Sequence, residues 1–225
     1  MTRTGIPVIL TADASGAARA ARQGLVVVIV DVIDMSTSLE AALDEGAAAV
    51  YGAGTDGVQP PVPVDPQRVG RLAGGRARTL GTDVVLIAEP RGGGDEQRLA
   101  ATTRVRSGIA AAGASIGALL PNLGAAVAEL ADLKGRVVVA ATGAGGAAFD
   151  AALTAGAPAV LTGTIARTRH KKGLRPAEAS AARALAAAGR LSAGVAVVAA
   201  SGNSLEDLLA AEYIYRLLLA KTHCR

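Results

Sequence analysis

Histidine, cysteine and aromatic residues are almost missing from this chain. Its 225 residues include two histidines, one cysteine, one phenylalanine, three tyrosines and no tryptophan. A single cysteine, Cys224, excludes an intrachain disulfide, so a cytoplasmic setting is expected. His170 and His223 stand far apart and form neither an H-x-H nor an H-E-x-x-H pattern, which argues against a zinc enzyme. No G-x-S-x-G nucleophile elbow occurs. No apolar run reaches membrane-spanning length, and MTRTGIPVIL lacks the layout of a secretory signal. With so few aromatics there is no stacking platform for single-stranded nucleic acid. A net charge of +4 is too small to argue for nucleic acid by itself. Neither nucleic acid nor a membrane is expected as a partner; the charge is compatible with a small anionic substrate.

What is abundant is small and aliphatic. Half of the residues are apolar, so the core must be Val, Leu, Ile and Ala, which suits helices packed closely on a parallel sheet. Short apolar strands are expected at 8–10, 26–30, 48–51, 84–88, 115–120, 137–141, 159–161 and 195–199. Helical patterns lie at 14–22, 37–45, 96–112, 125–133, 146–154, 177–188 and 205–219. This alternation predicts an α/β fold: a mostly parallel sheet with helices on both faces. A Pro-rich loop near 59–67 interrupts the pattern without a change of composition. The whole chain, 1–225, therefore reads as one α/β domain, single or bilobed in its core, and no internal repeat stands out.

The most informative stretch is VVVIVDVIDMSTSLEAA, residues 26–42. A β-branched strand runs into Asp31, then Asp34, then Ser36, Thr37 and Ser38, and then a helix begins. An acid at a strand end supplies charge for a metal, and the helix N-terminus supplies N–H donors for an anion. The structural alternative is that Asp31 merely ends the strand while a hydroxyl caps the helix. In VVVAATGAGG, residues 137–146, a strand runs into Thr142, Gly143 and Gly145. Glycines there let backbone N–H groups approach an oxyanion, or serve as simple connectors. In VVLIAEPRGGG, residues 84–94, Glu89 suits a metal ion and Arg91 suits a phosphate or sulfonate, unless they form an exposed ion pair. The basic run RTRHKKGLR, residues 167–175, is either a solvated face or the border of an anionic site.

DVIDMSTSLEAALDEGA resembles the "DVLRATTTIVTALENGA" type of segment in the 2-phosphosulfolactate phosphatase family. AEPRGGG sits where that family has Gly-Glu-Arg-Gly, and VVVAATGAGG where it has a Thr-Thr-Asn-Gly-Thr turn. VAVVAASGNSLEDLLAAEYIYRLL is similar to its C-terminal strand and Ser-Leu-Glu-Asp helix. The resemblance implies a compact α/β sandwich and a magnesium-dependent phosphatase acting on a small sulfonated phosphoester in the coenzyme M pathway. It implies Asp31, Glu89 and Arg91 as catalytic residues; the residues themselves add Asp34, or Glu89, beside Asp31 as the Mg²⁺ site. Ser36, Thr37, Thr142, Gly143 and Gly145 would bind substrate. The sequence also departs from the pattern. Asp34 stands where the family has Arg, the Asn of the glycine turn is missing, and GASIGALLP lacks the acid and Asn of the matching segment.

Two functions follow as expectations. The first is Mg²⁺-assisted hydrolysis of a small phosphoester, with a homo-oligomer allowed. The second is a noncatalytic relative that binds a small anion or a protein partner. Under the first, Asp31, Glu89 and Thr142 must meet at one end of the sheet.

Overall fold

The computed structural model describes residues 6–223; Cys224 lies outside them. Eight strands form, β1 (Val8–Ala12), β2 (Val26–Val30), β3 (Ala49–Gly54), β4 (Val84–Ala88), β5 (Ile116–Pro121), β6 (Val137–Thr142), β7 (Val160–Gly163) and β8 (Val195–Ala199). The helices are α1 (Asp13–Arg22), α2 (Met35–Asp44), α3 (Pro66–Leu80), α4 (Asp95–Ala100), α5 (Thr103–Ala111), α6 (Ala144–Thr154), α7 (Arg175–Leu191) and α8 (Leu205–His223), with a 3-10 turn at Gly124–Glu129. The chain is α/β, and every strand pairing is parallel.

The strands do not share one sheet. They divide into two sheets of four, ordered β1-β8-β2-β7 and β3-β6-β4-β5. This corrects the expectation of a single sheet. Alternation along each strand explains the layering, because successive side chains point to opposite faces. Val27, Ile29, Ala196 and Val198 of the first sheet and Val85, Ile87, Val138 and Ala140 of the second face a shared core. That core is filled by Ala17 and Ala20 of α1, Leu39 of α2, and Ala148 and Phe149 of α6. The outer faces pack on α7 and α8 in the first sheet and on α3 and α5 in the second. The result is five layers, helix–sheet–helix–sheet–helix.

The two halves of the chain repeat each other. Replacing β1–β4 by β5–β8, and the reverse, converts the strand order of one sheet into that of the other. Residues 40–50, EAALDEGAAAV, and 150–160, DAALTAGAPAV, are identical at seven of eleven positions. The backbone carries the same signature. Positive φ angles recur at Asp13 and Gly124 (64° and 60°), Gly24 and Gly135 (72° and 71°), Gly46 and Gly156 (86° each), and Gly81 and Ser192 (66° and 52°). Gly46 and Gly156 follow the last turns of α2 and α6, where a left-handed residue ends a helix. Each sheet takes two strands from each half, so neither half closes a core alone. The repeat was not legible beforehand because its similarity is mostly Ala and Val, which the whole chain is rich in.

Helix α3 was also not expected. Pro66 occupies its first turn and Asp65 caps it, accepting from Arg68 N–H at 3.0 Å. Its glycines lower helix propensity. Their role is tertiary: a Cβ at Gly70 would overlap Val105 O, and a Cβ at Gly108 of α5 would overlap Gln67 O. Glycine thus lets α3 and α5 lie backbone to backbone.

Candidate functional site

Parallel strands bring their C-terminal ends together, and ligand sites in α/β folds gather there. Strand β2 lies between β8 and β7, and β6 lies between β3 and β4. The segments after β2, β4, β6 and β8 surround a cavity of about 260 Å³. It is lined by Asp31, Ile33, Asp34, Glu89, Gly143, Ala144, Ser201, Ser204, Glu206 and Asp207. The N-terminal ends of α2, α6 and α8 therefore converge on one space. Their aligned peptide dipoles place partial positive charge there. Five carboxylates oppose it.

Asp31 is buried, with 6% of its surface exposed. Its backbone N–H donates to Ser36 Oγ at 3.0 Å, and its Oδ1 accepts from Asp34 N–H at 3.2 Å. A Cβ on Gly145 would overlap Asp31 Oδ2, so the glycine brings the first turn of α6 against this carboxylate. Burial, then the charges of Asp207 and Asp34, push the Asp31 pKa up to about 7. Glu89 Oε2 accepts from Gly143 N–H at 3.1 Å. Its pKa is also raised, by burial and then by Asp34, against the opposing pull of the Gly143 N–H, Asn122 and Arg91. Asp207 Oδ1 accepts from Val32 N–H at 2.9 Å and ties α8 to the loop after β2. Burial raises its pKa as well.

Arg91 takes a different place from the expected phosphate clamp. Its Nη2 donates to Asp34 Oδ1 at 2.6 Å and to Ile33 O at 2.8 Å, and its Nε donates to Asn122 O at 2.9 Å. The ion pair of the 89–94 segment is thus Arg91 with Asp34, not with Glu89. Buried Arg98 of α4 braces the same segment, donating to Pro90 O and Arg91 O at 3.1 Å each.

The hydroxyls are spent inside the fold. Ser36 Oγ donates to Ile29 O at 2.9 Å, and Thr37 Oγ1 donates to Val32 O and meets Thr164 Oγ1. Neither lines the cavity. Thr142 Oγ1 accepts from Gly146 N–H at 2.9 Å and secures the first turn of α6. The structure therefore brings Asp31, Asp34, Glu89 and Gly143 together around one cavity, with Gly145 packed against Asp31 and Thr142 securing the turn between them. Ser36, Thr37 and Arg91 hold the cavity walls.

Ser201, Ser204, Glu206 and Asp207 were not expected at the site. Ser204, Glu206 and Asp207 read as ordinary cap and helix-dipole residues, which they also are. The overlooked signal was a strand followed by hydroxyls, acids and a helix start, the same pattern as after β2. The basic run 167–175 pairs with acids late in α2: His170 Nε2 with Glu45 at 3.1 Å, Arg169 with Glu45 at 3.8 Å, and Lys171 with Asp44. It does not line the cavity.

No protein-family model matches this chain, and a search of curated proteins finds no match. The resemblance to the 2-phosphosulfolactate phosphatases rests on the motifs themselves. Among the described residues, no three His, Cys, Asp or Glu side chains form a ready metal cluster, and no helix is long and apolar enough to cross a membrane.

Proposed function

We propose that this chain is a magnesium-dependent hydrolase of a small phosphoester, on a scaffold like that of the 2-phosphosulfolactate phosphatases. One observation carries the reading. A buried carboxylate, Asp31, stands beside Asp207 and Asp34 in a cavity onto which three helix N-termini open.

The donor chemistry fits Mg²⁺. The ion takes oxygen ligands and needs only one or two carboxylates, keeping water and substrate oxygens for the rest. Asp31 and Asp207 fit as its holders, because their mutual repulsion helps raise the Asp31 pKa and a cation between them removes it. Asp34 is a weaker holder, since Arg91 already engages its Oδ1. When bound, the ion would polarise the phosphoryl group and lower the pKa of a coordinated water.

The chain supplies the remaining functions. The first turn of α6, with Ala144 in the lining, favours an anion through its dipole. Glu89 faces the same cavity with a raised pKa. A carboxyl that keeps its proton nearer neutrality suits delivery of that proton to a leaving alkoxide. Gly143 N–H orients Glu89, and Thr142 holds the turn that carries Gly143.

The test is a panel of small phosphoesters, with and without Mg²⁺, on wild type, Asp31→Asn and Glu89→Gln. The expected result is Mg²⁺-dependent turnover in wild type only. Calorimetry should show weakened Mg²⁺ binding in Asp31→Asn and retained binding in Glu89→Gln. Intact Mg²⁺ and anion binding with no turnover of any ester would assign the chain to the noncatalytic alternative.

A further inference from the structure

The site's charge pattern bears on which phosphoesters it accepts, and this step rests on the phosphoester reading above. The cavity lining carries five carboxylates, two serine hydroxyls and the apolar Ile33, with no Lys, Arg or His among the described residues. The nearby cation, Arg91, is turned away. Its guanidinium is held by Asp34 Oδ1, Ile33 O and Asn122 O. Its backbone is pinned by Arg98. Asn122 is fully buried and also reaches toward Asp34, with Nδ2 at 3.5 Å from Oδ1. Arg91 is thus fixed on two sides by carbonyls and on the third by one carboxylate.

We infer that Asp34 is a specificity-determining residue. As the one charged partner of the Arg91 guanidinium, beside Ile33 O and Asn122 O, it keeps that cation out of the cavity lining and leaves the non-reacting part of the ligand facing only carboxylates, hydroxyls and Ile33. The site then takes phosphoesters whose remainder is uncharged or cationic and rejects those with a second carboxylate or sulfonate. A second anion would meet Glu206 and Asp207 with no basic partner. Like charges brought together in a partly desolvated site repel strongly, and a buried charge left unpaired carries the full desolvation cost.

Two substitutions move this balance in opposite directions. Asp34→Asn removes one negative charge and frees the guanidinium from its ionic partner. Arg91→Gln removes the cation and leaves Asp34 as one more uncompensated carboxylate. The probes are glycerol 1-phosphate and 3-phosphoglycerate, which differ by a carboxylate at the far end. Their dissociation constants are measured by calorimetry at fixed ionic strength and saturating Mg²⁺, with each protein carrying Glu89→Gln so that the probes are bound and not turned over, after the Mg²⁺ affinity and the melting curve of each protein are known. Wild type should prefer glycerol 1-phosphate by tenfold or more. Asp34→Asn should shrink that preference by roughly five- to tenfold, the scale of one partly screened charge. Arg91→Gln should widen it.

A shift in the same direction by both variants would show that the ion pair is only a structural clip and would overturn the inference. Equal affinity of wild type for both probes would overturn it too, with the phosphoester reading intact. Binding of neither probe by any of the three proteins would overturn that reading and this inference together.

Discussion

Replacing Asp31 by Asn should change the pH dependence of stability in a calculable way. The folded-state pKa is about 7 against an ordinary aspartate value of 3.8. The native state therefore holds the proton more tightly than the unfolded chain. Stability from this group is fully present below pH 3.8 and is lost as pH rises toward 7, because in that window only the native state is protonated. Each pK unit corresponds to about 1.4 kcal/mol, so the difference amounts to about 4 kcal/mol as an upper bound. Asn is neutral throughout and nearly isosteric. Asp31→Asn should match wild type near pH 4 and be more stable at pH 8 by as much as about 4 kcal/mol, in metal-free buffer.

The assay is urea unfolding followed by circular dichroism at half-unit pH steps from 4 to 8, on both proteins. Glu89, Asp207, Asp150 and Glu40 shift in the same direction, so the slope of either curve alone is composite. The difference between the curves isolates Asp31. Millimolar Mg²⁺ at pH 8 should recover stability in wild type and not in the variant, by linkage between binding and folding. A difference that stays flat from pH 4 to 8 would refute the claim that the site crowds this carboxylate. A flat difference with no effect of Mg²⁺ would remove Asp31 from the proposed metal site as well.

Other substitutions test other contacts. Gly145→Ala forces a methyl group onto Asp31 Oδ2; it should cost about 1–3 kcal/mol in thermal unfolding and weaken Mg²⁺ binding, and the added Asp31→Gly change should recover the stability but not the binding. Arg183→Met leaves Glu40, 1% exposed, without the arginine that pairs with it; the loss should be about 3–5 kcal/mol at pH 8 and smaller at pH 5, where Glu40, pushed up to about 7 by burial, takes a proton. Gly70→Ala and Gly108→Ala each drive a Cβ into the facing backbone of the α3–α5 contact; each should lower the melting temperature, and the double variant should lose less than the sum because one separation of the helices relieves both.

The strands were legible because each is a short apolar run, several of them β-branched, bounded by turn residues. Their partition between two sheets was not, since the same alternation serves a strand buried in either. The helix expected at 96–112 is broken at Ala101 and Thr102, where Asp56, from the loop after β3, accepts from the N–H groups of Thr103 and Arg104. A cap supplied from forty-seven residues away leaves no local mark. The strand-end acids Asp31 and Glu89 were legible for the same reason that sites gather at strand ends. The direction of the Ser36 and Thr37 hydroxyls, toward Ile29 O and Val32 O, was not legible, because a hydroxyl has the same appearance in sequence whether it faces a ligand or its own backbone. Asp207 was overlooked because its place at the site depends on β8 lying beside β2, with Ala199 level with Val30.

The internal repeat explains why the cavity forms where it does. Under the exchange of halves, the turn after β2 corresponds to the turn after β6, and the end of β4 to the end of β8. A duplicated fold thereby aims equivalent helix N-termini, those of α2 and α6, at one central space. A strictly repeated sequence would put the same groups on both sides. Here the sides differ: Asp31 follows β2, whereas Thr142 ends β6 and three glycines fall in the next four residues. The glycine side yields room and N–H donors, and the acid side yields a buried carboxylate, which Gly145 lets into contact. The same divergence runs down the paired helices. Glu40 of α2 is neutralised by Arg183, while Asp150 at the equivalent place in α6 accepts from Asp65 N–H at 2.8 Å and Thr154 Oγ1 at 3.0 Å. Equivalent backbone with unequal side chains turns two like strand ends into one polarised cavity.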